Sequence, residues 1–179
     1  IREEGIESIA IPHNSNGSDG WMFEDTNKSG DPIDRRYSEQ RIRNEPLVEI
    51  TQVKGTSDTH PLMSPNDEWA DFELMESTIG SANPSQPQGS YVREAYLTGM
   101  ALDEKGLGNP YRFGLIGSSD THNAAGSFRE DRFWSKTGLL DASPIQRGSV
   151  PDESGSFLDV IRSYWGGSGL AGVCVCGGE

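Results

Sequence analysis

The sequence is short of cations, cysteines, histidines and long apolar runs, and each shortage removes a class of function. Only 15 lysines and arginines stand against 28 aspartates and glutamates, a formal net charge of −13. Binding to nucleic acid needs clustered basic side chains to neutralise phosphates, so no nucleic-acid partner is expected. No apolar run approaches the roughly 20 residues needed to span a bilayer, and no membrane partner is expected either. Ile1 to Gly20 also lacks the basic start and long apolar stretch of a signal peptide. The two cysteines, Cys174 and Cys176, are one residue apart. A bridge between them would close a strained ring, and a zinc knuckle would need further Cys or His nearby. They read as reduced, structurally neutral thiols. Missing too are a Gly-x-Ser-x-Gly nucleophile elbow, a phosphate-binding P-loop and a dinucleotide-binding Gly-x-Gly-x-x-Gly.

What is present fits one loop-rich globular domain over residues 1–179, with 33% hydrophobic residues, 22 glycines and 10 prolines. Gly5 to His13 reads as a buried strand stopped at Pro12, followed by a polar loop from Asn14 to Asp34. A helix is expected from Pro32 to about Arg43, and a second strand from Leu47 to Val53. Asn66 or Asp67 would cap a helix carrying Trp69, Phe72 and Met75. Ser90 opens the clearest helix, with Val92, Tyr96 and Met100 on one face, ending near Gly106. Tyr111 to Gly117 reads as a third strand, Ser156 to Tyr164 as a last helix and Leu170 to Val175 as a closing strand. Strands alternating with helices predict an α/β fold with a parallel sheet.

The three histidines all follow predicted strands. His13 ends the first, His60 follows the second in Ser57-Asp-Thr-His60, and His122 follows the third in Ser119-Asp-Thr-His122. In parallel α/β sheets functional groups collect at the C-terminal strand ends. In an extended segment, Asp and His two apart point the same way, so a carboxylate and an imidazole can share one metal. His13, Asp120 and His122 are therefore the candidate metal ligands. His60, beside Pro61, suits an exposed turn as well as a site. Glu49 alternates with apolar neighbours, and a lone buried carboxylate is costly, which points it toward a pocket. Glu49 and His60 are the candidate catalytic side chains, and Lys54 and Arg112 could meet a substrate phosphate. An acidic surface also favours divalent cations.

Four stretches resemble the polymerase and histidinol phosphatase (PHP) superfamily, and more closely an uncharacterised branch of it, domain of unknown function family 3604. They are Ile11-Pro-His-Asn-Ser-Asn16, the run from Leu47 to Pro61, Gly89-Ser-Tyr-Val-Arg-Glu-Ala95, and the run from Phe113 to Asn123. The resemblance implies a distorted TIM-type (β/α) barrel whose strand ends hold two or three divalent metals, commonly zinc, manganese or iron. It matches Asp120 and His122 to a late Ser-Asp-x-His motif in which both are ligands, and His13 to a ligand after a middle strand. The superfamily's opening His-x-His strand and Asp-His pair have no counterpart here. The chain is accordingly expected to be a partial barrel, the C-terminal piece of a longer protein lacking the N-terminal half of its metal site. A truncated sheet exposes apolar edges, so self-association is expected.

The function these features imply is metal-dependent hydrolysis, of phosphoester type, acting on a small phosphorylated or ester substrate, with weak or no activity in this piece. The alternatives are a non-catalytic metal-binding or interaction module, or a hydrolase of C–N bonds of the amidohydrolase kind, which needs the same ligands.

Overall fold

Two apolar runs make the organising pair of the fold. The computed structural model describes Gly5 and residues 8–122, 143–146 and 150–157. Within them, β1 (Leu47–Gln52), β2 (Gly55–Thr56) and β3 (Gly114–Gly117) form an open sheet in the order β2-β1-β3. β1 and β3 run parallel, while β2 folds back antiparallel on β1. The architecture is mixed α/β, and the described strands do not close into a barrel. The helix expected from Ser156, beyond its first two residues, the strand at Leu170–Val175 and both cysteines lie outside the described residues.

Helix α1 (Arg35–Asn44) begins where its cap allows, at Asp34, whose Oδ1 accepts the Tyr37 N–H at 2.7 Å. Arg41 and Arg43 in its last turn suit the negative end of the helix dipole. Arg41 does more. It pairs with Glu45 at 2.8 Å, donates to the Met22 carbonyl at 2.7 Å and stacks its guanidinium 4.8 Å from the Tyr111 ring centre. One side chain thereby ties α1 to the 22–24 loop and to the segment leading into β3.

Helix α2 (Val92–Glu104) lies within the expected span, two residues shorter at each end, and its buried face runs through Val92, Ala95, Gly99 and Leu102. Met100, expected on that face, is exposed. Val92, Ala95 and Leu102 join Phe23, Ile33, Val48, Tyr111 and Phe113 in one core. Each large apolar side chain buried there contributes about 1.5–3 kcal/mol. Phe23 meets Tyr111 edge-on at 5.6 Å, and the Tyr111 hydroxyl donates to the Glu24 carbonyl.

Two expected elements are absent. Residues 8–13 form no strand: Ala10 N–H donates to the Asn44 carbonyl and Glu49 N–H to the Pro12 carbonyl. The first bond ends on the last residue of α1 and the second on β1. Pro12 has no N–H with which to extend the ladder. The helix expected after Asn66 is instead a chain of turns closed by Asp67→Ser64, Ala70→Asp67 and Phe72→Trp69 bonds. Glu73 has a left-handed backbone (φ 51°), which stops any helix there, and Trp69 and Phe72 face solvent.

Candidate functional site

Because β1 and β3 are parallel neighbours, their C-terminal ends lie side by side, and the Ser118 N–H donates to the Thr51 carbonyl at 3.1 Å. That bond starts the loop carrying Asp120 and His122 from the end of the sheet where α/β proteins keep their ligands. Asp120 is left-handed (φ 47°), as is Asn14 (φ 54°), the residue after His13. Non-glycine residues in this region are uncommon and cluster at functional sites, with Asn and Asp the most tolerant.

Asp120 and His122 come together, with Nε2 3.6 Å from Oδ1, although the left-handed turn replaces the extended geometry expected of them. The other Asp120 oxygen accepts from the Lys54 ammonium, which reaches it from the turn between β1 and β2. Both partners of this ion pair are largely covered (16% and 19% exposed), whereas the His122 side chain is 60% exposed.

Glu49 is buried, and its Oε2 accepts the Gln52 Nε2–H at 2.9 Å. Residues three apart on a regular strand face opposite sides; the register shift between Glu49 and Thr51 brings these two together. Burial pushes the Glu49 carboxyl up from the ordinary carboxylate range. The Gln52 hydrogen bond opposes this, as do the charges of His13 and Lys54, while Asp120 adds to it. Glu49 thus lies within electrostatic reach of His13, Lys54 and Asp120. His13 itself is exposed, as is Arg112.

The two Ser-Asp-Thr-His copies do different things. In the first, the Ser57 and Asp58 carbonyls accept the Val92 and Arg93 N–H groups, satisfying orphan donors at the start of α2. The Asp58 carboxylate pairs with Arg93, and the Ser57 hydroxyl donates to Asn16 Oδ1 at 2.9 Å. This copy joins the loop after β2 to the start of α2. His60 is buried rather than in an exposed turn. Its Nδ1 accepts the Leu62 N–H at 3.2 Å, its Nε2 lies 3.7 Å from Glu76 Oε1, and its ring is 5.5 Å from that of Tyr91. An open groove of about 900 Å³ runs past it, lined also by Lys54, Glu76 and Tyr91. Sequence reasoning missed Gln52, Glu76 and Tyr91, whose placement depends on the bulge in β1 and on the 73–85 loop.

Among the described residues, no three His, Cys, Asp or Glu side chains are gathered as a set for one ion. Asp120 and His122 are adjacent and offer a carboxylate and an imidazole, donor types that a divalent metal takes, and Asp120 already accepts the positive charge of Lys54; His13 lies within electrostatic reach of Glu49 and is not gathered with them. A family model described as a protein of unknown function (DUF3604) matches residues 1–176. No curated protein and no solved structure matches the chain.

Proposed function

The chain belongs to the DUF3604 family of proteins of unknown function, and on that premise we propose that it is a metal-dependent hydrolase of phosphate esters. The observation that carries this reading is the meeting of Asp120 and His122 beside Lys54, next to the buried Glu49, at the C-terminal ends of two parallel strands. The resemblance of the surrounding motifs to the PHP superfamily supports the same chemistry.

His13, Asp120 and His122 are the side chains that would hold the ion, and two imidazoles with a carboxylate suit zinc, manganese or iron. When bound, such an ion acidifies a water molecule and polarises the scissile oxygen. Burial raises the Glu49 carboxyl, which favours it as the group that holds or passes a proton. Lys54 provides a positive charge for a substrate phosphate beside the Asp120 carboxylate.

Elemental analysis after dialysis against metal-free buffer tests the proposal, with His122→Ala as control and 4-nitrophenyl phosphate as substrate. The exposure of His122 makes the substitution one the fold tolerates. Retained zinc, manganese or iron that is lost in the variant, with at most weak turnover that follows the metal, is the expected result. Wild-type protein that keeps no metal, or turnover that survives His122→Ala unchanged, overturns it.

A further inference from the structure

The groove beside His60 is walled on one side by a loop with its own internal bonding. Ser77 and Pro84 form an antiparallel bridge, Thr78 N–H donates to the Asn83 carbonyl, and Ser85 N–H donates to that of Glu76. Ile79 N–H donates to the Gly17 carbonyl, anchoring the loop. Gly17 packs tightly against the loop, since a Cβ there would lie 2.8 Å from Met75 Cε and 2.9 Å from Ile79 Cγ1 and would have to push those side chains aside. Close packing of this kind fixes the shape of the wall.

The lining has two characters. Leu62, Met75, Ile79, Pro84 and Pro87 give an apolar surface, and Leu62 and Ile79 present much of theirs to solvent. Opposite in chemistry are His60 and Tyr91. With Nδ1 accepting the Leu62 N–H, a neutral His60 ring must carry its proton on Nε2, so it acts there as a donor. Burial, reinforced by the charge of Glu76, pushes the Tyr91 phenol up to about 12, so it keeps its proton near neutral pH. Lys54 lines the groove and also binds Asp120, so a single lysine side chain links the groove to the candidate metal ligands.

We infer that this groove seats the leaving group of a phosphate monoester, and that the leaving group is aryl or otherwise flat and apolar with an oxygen facing His60 and Tyr91. The apolar wall takes the ring, the two donors meet its oxygen, and the phosphate extends past Lys54 toward Asp120 and His122. The inference rests on the hydrolase reading, and names its substrate class.

Two non-hydrolysable probes, phenylphosphonate and methylphosphonate, test it by calorimetric titration of the full chain. Burying the ring against the apolar wall should make phenylphosphonate bind about tenfold tighter. Leu62→Asp and, separately, Ile79→Asp should bring that ratio close to one. Leu62 is 71% exposed, so its substitution leaves the fold intact. His122→Ala should weaken both probes and leave the ratio unchanged. Equal affinities in the wild type, or a ratio that survives both groove substitutions, overturns the inference. Metal-dependent turnover with equal affinities sinks the groove assignment alone. A retained ratio without metal or turnover supports the groove as an aryl-anion site and sinks the hydrolase reading.

Discussion

Gly99→Ala sets two effects of opposite sign against each other in the middle of α2. Alanine in a helix interior is favoured over glycine by about 0.8–1 kcal/mol, so an open site would be stabilised. Gly99 is not open: a Cβ there would lie 2.8 Å from Asn109 Cγ and closer still to its Oδ1. That oxygen accepts the Tyr111 N–H at 2.8 Å, and Tyr111 is fully buried. The amide of Asn109 can swing away, but only by leaving a buried N–H without its acceptor, at about 1–3 kcal/mol, and overpacking adds about 1–3 kcal/mol where the neighbours cannot relax. The two costs come to about 2–6 kcal/mol against a gain of about 1, so the cost wins by about 1–5 kcal/mol, a fall in Tm of roughly 2–20 °C for a chain of this size. Thermal melts followed by circular dichroism measure it, with the exposed Met100→Ala as a neutral comparison on the same helix. Asn109→Ala should already have lost the Tyr111 bond, so adding Gly99→Ala to it should cost little, giving a clear coupling in the double-mutant cycle. A rise in Tm for Gly99→Ala alone, or strict additivity of the two changes, would refute the reasoning.

Glu49→Gln keeps the acceptor for Gln52 and removes the charge. Because burial raises the carboxyl above its ordinary 4.5, the wild type carries no penalty below that value and loses stability as pH rises through the folded value. The variant should match the wild type near pH 4 and melt higher at neutral pH; a difference that does not vary with pH sinks the argument. Tyr111→Phe removes the donor to Glu24 and the hydroxyl near Arg41, and should cost about 1–3 kcal/mol in urea unfolding without changing the m-value. An unchanged midpoint would show that neither bond matters.

The elements legible in the sequence were those whose causes are local. Asp34 caps α1 through its own third neighbour, and β1 and β3 each carry a short run of branched apolar residues that marks a strand. Trp69, Phe72 and Met75 carry helical spacing too, yet Glu73 turns left-handed and its carbonyl accepts from Thr56, a partner far away in the sequence. The same holds for the two Ser-Asp-Thr-His copies. No local rule separates them; Arg93 and Asn16 claim the first, and Lys54 claims Asp120 in the second. The bringing together of Asp120 and His122 was legible, and the burial of Glu49 followed from its alternation with apolar neighbours. The groove was not, because the 73–85 loop and Tyr91 meet His60 only once α2 has docked on residues 57 and 58.

Lys54 gives the Asp120 carboxylate a competitor that cannot diffuse away. Its ammonium is leashed to a short turn, so its effective concentration at that oxygen is on the order of millimolar whatever the dilution of the protein. Any cation entering there takes part in an exchange, one positive charge for another. What a titration reads is then the difference between two affinities, and the charge displaced stays within reach to take the place back.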